Sequence, residues 1–528
     1  MNRRTFVKAG GLSTLAAVMP QLCLRGAPGR LEEAYQALDK QRMQKLADMA
    51  LSIAKRRGAS YADFRVCRYQ NDDVNTREEH VESIHSSRDF GFGVRVLING
   101  TWGFSSSSRV TEAKVDEMTR HAVDMAQANH PLQKQRVELE SIPAYQDIWV
   151  MPMKRDPFTV PIEEKVQKLL AINSAAQRVG AAFCNSGMSF VREEKFFAST
   201  GGSSILQVRV RTQPHFTVTV VDKKTGKFEN CNSYAAPRGS GYEYIESYDF
   251  EREAARASKE ASQKISAKSV VPGKKDLVIH PTNLWLTIHE SVGHPTELDR
   301  ALGYEANFAG TSFVTKEKLG KLQYGSKHIT IIGDRTQEGG LSTVAYDDDG
   351  VKTGGSEFPI IKQGRFENYQ MAMGYAKAVG RSGSNGCAYA DGWDKFPIQR
   401  MPNISLQPNP LPVSLDELLS DVKDGIYIMG NGSWSIDQQR YNFQFGGQVF
   451  YEIKNGKLGQ MLRDVAYQGN TVDFWNACDG LCGKAEYHLG GTFSCGKAQP
   501  EQSAPVSHGA VPARFRKINV INTNRSDI

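Results

Sequence analysis

Two histidines and a glutamate stand close together in the segment His289-Glu290-Ser291-Val292-Gly293-His294. Imidazole nitrogens are common ligands of catalytic zinc, and a neighbouring carboxylate can act as the base that takes a proton from water. In the familiar zinc-protease helix the histidines are four residues apart and share one face. Here they are five residues apart, so a regular helix would separate them by about 140°. The segment therefore predicts a metal site only if the helix is interrupted.

Gly293 and Pro295 supply an interruption. Glycine tolerates backbone angles that a helix does not use, and the residue before a proline is disfavoured in the helical region. We therefore expect a helix over residues 283–292, followed by an extended His294 that folds back towards His289. In this interpretation both imidazoles can reach one ion.

A catalytic zinc usually has three protein ligands and an open position for water, so a third side chain must come from elsewhere. Acidic, cysteine and histidine residues are all possible, and their chemistry alone does not rank them. The candidates are Glu297, Asp299, Glu305, Glu338, Cys478, Cys482, His488 and Cys495. Glu297 and Asp299 could instead accept hydrogen bonds from the imidazole N–H groups. The remaining histidines, including His508, are expected to be surface residues or to have ordinary hydrogen-bond partners.

The histidine segment, continued through Pro295-Thr296-Glu297-Leu298-Asp299, resembles the motif of the TldD/PmbA family of zinc peptidases. The resemblance covers roughly residues 35–525. It includes Tyr346-Asp347-Asp348-Asp349-Gly350 and the C-terminal stretch Ser494-Cys495-Gly496-Lys497. Because the chain carries the complete His-Glu-x-x-x-His motif, it resembles the catalytic TldD-type members.

The resemblance implies a Zn²⁺ ion held by His289, His294 and Cys495, with Glu290 as the general base. One alternative stays open, because Leu481-Cys482-Gly483-Lys484 repeats the Cys-Gly-Lys tripeptide and makes Cys482 a rival third ligand. Cys478 and Cys482 could also form a disulfide after export, or remain buried thiols.

The function that this resemblance implies is hydrolysis of peptide bonds in unfolded or extended polypeptides. It also implies a homodimer, or a heterodimer with a PmbA/TldE-type paralogue. Two other functions remain open. One is a different zinc amidohydrolase, for example one that acts on cell-wall amides. The other is a non-enzymatic binding or maturation protein with a structural zinc, which a fourth protein ligand would favour.

The pattern of helices and strands predicts an α+β protein. We expect an N-terminal region of helices and antiparallel sheet, followed by a mainly antiparallel β domain that carries the metal-binding helix. Alternating residues over 90–98 lead into the turn Asn99-Gly100, which is typical of a hairpin. The expected segments are a signal segment (1–29), an N-terminal α+β subdomain (30–135), a middle α+β subdomain (136–270) and a C-terminal metallopeptidase domain (271–528).

The first residues, Asn2-Arg3-Arg4-Thr5-Phe6-Val7-Lys8, resemble a twin-arginine export signal. We therefore expect an exported protein, in the periplasm or outside the cell. Removal of residues 1–29 would lower the formal charge from +7 to +3, because four basic residues and no acidic ones lie there. This small excess does not predict nucleic-acid binding. Beyond the first residues the chain has no apolar stretch long enough to predict a transmembrane span.

Overall fold

The structure is a computed structural model, and it describes residues 38–524 except 356 and 498–500. The predicted signal segment, residues 1–29, lies outside the described residues. The protein contains about 25% helix and 41% strand, with mainly antiparallel sheets. The predicted α+β class is therefore confirmed. Within the described part of the chain, no helix is long and apolar enough to cross a membrane.

The regular elements alternate along the chain, with most helices in the first half. The helices are α1 (Lys40–Arg56), α2 (Glu112–Asn129), α3 (Ile162–Arg178), α4 (Glu243–Ser247), α5 (Phe250–Ser266), α6 (Pro281–Ile288), α7 (Leu298–Ala301), α8 (Leu415–Ser420) and α9 (Thr471–Asn476). The strands of the first half are β1 (Tyr61–Arg77), β2 (His80–Ile98), β3 (Thr101–Ser107), β4 (Gln146–Val150), β5 (Phe183–Ser199), β6 (Ser204–Val221) and β7 (Phe228–Asn232).

The second half consists mostly of short strands. They are β8 (Lys268–Ser269), β9 (Gly273–Ile279), β10 (Ile331–Asp334), β11 (Phe358–Lys362), β12 (Arg365–Phe366), β13 (Ala388–Tyr389), β14 (Ile398–Gln399), β15 (Asn403–Leu406), β16 (Asp424–Ile436), β17 (Asn442–Lys454), β18 (Lys457–Arg463), β19 (Val465–Asn470), β20 (Cys478–Leu481), β21 (His488–Lys497), β22 (Gln502–Ala510) and β23 (Ala513–Asn522).

One seven-stranded sheet spans the first half of the chain, in the order β3-β2-β1-β5-β6-β4, with β7 on β6. Strands from residues 30–135 and from residues 136–270 meet where β1 pairs with β5, so the two predicted subdomains share this sheet. Helices α1 and α2 cover an apolar core at one end of the sheet, and α3 and α5 cover a second core at the other end.

Buried charged side chains join this sheet to the C-terminal domain. Lys195 Nζ lies 2.7 Å from Asp348 Oδ2, and Arg95 donates hydrogen bonds of 2.7 Å to Asp63 and Asp349. The aspartates 348 and 349 belong to the Asp347–Gly350 turn that the sequence indicated. Because paired charges satisfy one another when buried, these ion pairs fix the orientation of the sheet against the domain.

Five strands of the C-terminal domain form a closed ring, because β16-β9-β23-β19-β17 is completed by pairing between β16 and β17. Helix α6 follows β9 directly. The Asn283 side-chain amide donates hydrogen bonds of 2.8 Å to the carbonyls of Gly430 and Gly446, and Tyr467 Oη lies 2.9 Å from Asn283 Oδ1. These buried bonds hold the first turn of the histidine-bearing helix on three strands of the ring.

Candidate metal centre

The interruption predicted at the histidine motif is a turn of π-helix. The α-helix ends at Ile288, and residues His289–Gly293 form the π segment. The backbone N–H of His294 donates to the carbonyl of His289, which is an i+5 to i hydrogen bond. Such a bond stacks residue i+5 over residue i, as an α-helix does for residues four apart. The π turn thus brings both imidazoles to one side of the helix.

The expected extended conformation of His294 is wrong. His294 has helical angles (φ −61°, ψ −44°) and begins a short 3₁₀ turn that contains Pro295. A proline fits the first turn of a helix, because its missing N–H has no partner there in any case. The helix also begins earlier than expected, at Pro281, with His280 as its cap.

Gly293 allows close packing at this turn and does not adopt a left-handed backbone angle. Its φ is −56°, which any residue adopts. A Cβ atom at this position would lie 2.7 Å from Met401 Sδ, which is closer than non-bonded contacts allow. The glycine therefore lets the Met401 side chain pack against the turn.

His289, His294 and Cys495 come together in the folded chain. One ligand atom from each lies within 4.8 Å of the others, and all three residues are buried. Cys495 Sγ is 3.7 Å from His294 Nε2. A tetrahedral zinc with ordinary bond lengths would separate a nitrogen and a sulfur ligand by about 3.6 Å. The donor set and its spacing therefore fit zinc, with a fourth position for water.

The other candidate ligands do not join this group, which is the only one of its kind in the described residues. Cys482 is buried, its N–H donates to the Pro512 carbonyl, and burial raises the pKa of its thiol to about 12. Cys478 and Cys482 are both free thiols. Glu305 is 2.9 Å from Arg300 in a buried ion pair.

His508 fixes the orientation of His289, although no sequence pattern marked it as part of the site. His289 Nδ1 lies 2.7 Å from His508 Nε2, and His508 Nδ1 lies 3.0 Å from the Ile404 carbonyl. A carbonyl can only accept, so His508 Nδ1 is the donor there and its Nε2 accepts from His289 Nδ1–H. These two hydrogen bonds leave Nε2 of His289 with a lone pair for a metal.

Glu297 fixes the orientation of His294, as the sequence suggested. His294 Nδ1 lies 3.0 Å from Glu297 Oε2, which leaves Nε2 facing Cys495. Asp299, the other acidic residue that could accept from an imidazole N–H, has a different partner. It pairs instead with Lys497, whose Nζ is 2.8 Å from Asp299 and 3.0 Å from Glu297. Burial lowers the pKa of Lys497, but the carboxylates of Asp299, Glu297 and Glu305 outweigh this effect, so that the pKa is raised.

The histidines are neutral in this environment. Burial is the main cause that lowers the pKa of His289, and it lowers the pKa of His294 and His508 well below the ordinary value. Only a neutral imidazole has a lone pair to bind a metal. Near neutral pH these buried imidazoles can therefore bind a metal without first losing a proton.

Glu290 is buried beside the two histidines and forms an ion pair with Arg440. Arg440 lies in the turn between β16 and β17 with φ +63°, an uncommon angle for a residue other than glycine. Asp437 accepts a hydrogen bond of 2.8 Å from the Tyr441 N–H, and Thr471 donates one of 2.8 Å to the Arg440 carbonyl. These hydrogen bonds hold the turn in place, and the Arg440 guanidinium keeps the Glu290 carboxylate oriented.

Comparison with known proteins shows the family to which the chain belongs. Residues 272–522 match the model described as "PmbA/TldA metallopeptidase C-terminal domain". Residues 62–126 and 155–266 match domain 1 and the central domain of the same family. The chain belongs to the PmbA/TldD metallopeptidase family. The motif segment, Cys495 and His508 all lie within the part that matches the C-terminal domain.

Several relatives match over most of their length. "Metalloprotease MJ0996" of Methanocaldococcus jannaschii is 30% identical over 455 residues, which is 85% of this chain and 94% of the relative. A "Zinc metalloprotease TldD homolog" of Saccharolobus solfataricus is 24% identical, over 88% of this chain and 98% of the relative. The crystal structure of TldE from Thermococcus kodakarensis has the same fold, with a TM-score of 0.69 and 16% identity over 91% of this chain and 99% of TldE.

Proposed function

We propose that the protein is a zinc-dependent peptidase that hydrolyses peptide bonds in unfolded or extended polypeptides. The observation that carries the proposal is the group of His289, His294 and Cys495 beside a buried Glu290. Three ligands are typical of a catalytic zinc, whereas a structural zinc usually has four. Among the described residues no fourth histidine, cysteine or acid joins the group, which disfavours a purely structural zinc.

The residues of the chain have separate parts in this reaction. Zinc, when bound, would supply a Lewis acid that polarises the peptide carbonyl and lowers the pKa of water to about 7. Glu290 takes a proton from the attacking water and passes it to the leaving amine. Arg440 holds the Glu290 carboxylate in position, and His508 and Glu297 hold the imidazoles.

An extended substrate is favoured by the position of Cys495 on β21. Among the described strands, β21 pairs with β22 alone, so no strand occupies its other edge. Thr492 and Phe493 are partly exposed and Ser494 is exposed along this strand, next to the cysteine. An extended peptide can add to such an edge through main-chain hydrogen bonds, whatever its sequence. Folded proteins rarely offer a free strand for this pairing, so unfolded chains are the better substrates.

Glu290→Gln tests the proposal. The variant should keep one zinc per chain, because Glu290 is not in the ligand group, and should lose nearly all cleavage of an unfolded protein. Zinc content and cleavage are measured on the same samples. A variant that retains both zinc and cleavage would exclude Glu290 as the base. A wild-type protein that holds zinc and cleaves cell-wall amides but no peptide would favour the other zinc amidohydrolase.

We also propose that the protein is exported and that it works as a dimer, with itself or with a PmbA/TldE-type paralogue. Arg3 and Arg4 in the twin-arginine pattern support export, and the shared fold of TldE supports a paralogous partner. Replacing both arginines by lysine should retain the protein inside the cell. Sedimentation of the purified protein, alone and mixed with the paralogue, distinguishes the two kinds of dimer.

A further inference from the structure

A cavity of about 340 Å³ lies beside the metal centre, between the middle region and the C-terminal domain. Its walls come from residues 232–238, from α4 and its C-terminal flank, from the start of α6, and from the start of β21. Cavities of this size are in the range that takes a small ligand or a side chain. None of the residues that bind the metal or hold Glu290 lines it.

The one charged side chain in the described lining of the cavity favours an anion. It is Arg238, because burial lowers the pKa of His280 and of His488, and the described lining includes no aspartate or glutamate. Arg238 is fixed by backbone hydrogen bonds of 2.8 Å to Thr212 in both directions, and its guanidinium lies over the Tyr244 ring at 5.9 Å. A guanidinium presents several N–H donors in the geometry that a carboxylate accepts.

Two acidic side chains, Glu253 and Glu260, are not among the lining residues of the cavity, and both are paired with Arg256. Glu253 accepts a hydrogen bond of 2.8 Å from the Ser233 hydroxyl and lies 3.4 Å from Arg256. Glu260 is also paired with Arg256. Arg256 thus offsets one of these two negative charges. The remaining surface is aromatic, from Tyr234, Tyr244, Tyr248 and Trp285, and can contact the carbon atoms of a ligand.

The cavity is connected to the metal centre by the two elements that carry the ligands. Helix α6 runs from His280 in the cavity to His289, which is about 13 Å at 1.5 Å per residue. Strand β21 runs from Gly491 in the cavity to Cys495, which is also about 13 Å at 3.3 Å per residue. Trp285 lies between, with its ring parallel to that of His508 at 6.3 Å.

We propose that this cavity binds a carboxylate of the polypeptide whose scissile bond lies at the metal centre, and so determines the position of cleavage. An extended chain covers about 13 Å in four residues, so the preferred acidic residue lies about four residues from the cleaved bond. Arg238 pairs with the carboxylate, and the aromatic walls contact its carbon chain. This inference rests on the proposed peptidase function, but the binding it predicts can be measured without catalysis.

Binding is tested with fluorescently labelled, amidated peptides of about ten residues that contain glutamine and one glutamate, which is moved one position at a time. Their affinity for zinc-loaded Glu290→Gln protein is measured by fluorescence anisotropy. One glutamate position should bind about tenfold more tightly than the all-glutamine peptide, as expected for one charge-assisted hydrogen bond. Arg238→Met should reduce that preference to within twofold, and Arg238→Lys should keep part of it.

Lys484→Met is the matched control, because it removes one positive charge from an exposed residue outside the cavity. It should keep the full preference. If Arg238→Met does not fold, Arg238→Gln replaces it and should likewise reduce the preference to within twofold, because it also removes the positive charge. Wild-type cleavage of the same peptides then locates the cleaved bond relative to the preferred glutamate.

Some results would overturn the proposal. Equal binding of every glutamate peptide, or a preference that survives in Arg238→Met, would exclude the cavity as a carboxylate site. Acetate or phosphate that binds at the cavity as tightly as the peptide would indicate a small-anion site with no part in substrate selection. A clear, Arg238-dependent preference without any cleavage by wild type would refute the peptidase function and leave the carboxylate site standing.

Discussion

The hydrogen bond between His508 and His289 gives a prediction that depends on the orientation of one ligand. His508→Leu removes the acceptor of His289 Nδ1–H and the donor to the Ile404 carbonyl. Loss of a hydrogen-bond partner behind a metal ligand typically weakens metal affinity 10- to 100-fold, which is about 1.4–2.8 kcal/mol. His508 is fully buried, so the substitution also leaves two polar groups without partners, at about 1–3 kcal/mol each.

The assay is competition for zinc against a chelator of known affinity, together with urea unfolding of the metal-free protein. His508→Leu should raise the zinc dissociation constant by at least tenfold and lower the free energy of unfolding by about 2–6 kcal/mol. His508→Gln should recover part of both losses, because its amide can accept and donate. His328→Leu, an exposed site, is the control. Zinc affinity within twofold of wild type in His508→Leu would refute the reasoning.

Three further predictions concern other ionisable side chains. Arg440→Met should leave the zinc content unchanged and lower kcat about tenfold, because Glu290 would lose the partner that positions it. Steady-state kinetics measures this change, and an unchanged kcat would contradict the role of Arg440. Lys497→Met should destabilise the protein by about 3–5 kcal/mol, because Glu297 and Asp299 would be buried without their cation. An unfolding midpoint equal to that of wild type would exclude that role. Burial lowers the pKa of His280 from its ordinary value to about 3. Below about pH 6.5 the folded state therefore binds fewer protons than the unfolded state, and the free energy of unfolding falls as the pH drops. His280→Asn keeps a helix cap and should reduce the loss of stability between pH 7 and pH 4.5, whereas an unchanged loss would contradict the assignment.

The elements with strong periodicity could be predicted from the sequence. The α+β class and the hairpin at Asn99-Gly100 follow from local patterns, and the structure has them. The π turn could not be predicted from the sequence. Its five residues are too few to show whether the hydrogen bonds join residues four or five apart. The prediction that Pro295 forces His294 out of the helix is wrong. In the folded chain its ring fits the first turn of the next helical segment, so that His294 stays helical.

The distant members of the site depended on tertiary structure. Cys482 and Cys495 share the same tripeptide, and only the strand pairing decides which sulfur faces the imidazoles. His508 lies on β22, the hairpin partner of the cysteine strand, and no local pattern distinguishes it from an ordinary buried histidine. Arg440 is brought to Glu290 by the turn between two ring strands, across 150 residues of sequence.

The central claim is that two imidazoles and the Cys495 thiolate hold one zinc. X-ray absorption at the zinc edge tests it most directly, on wild type and on Cys495→Ser and Cys482→Ser variants. We predict one sulfur neighbour at about 2.3 Å and nitrogen neighbours at about 2.0 Å in wild type and in Cys482→Ser. The sulfur should be absent from any zinc that Cys495→Ser still binds. A sulfur neighbour that persists in Cys495→Ser and disappears in Cys482→Ser would contradict the account.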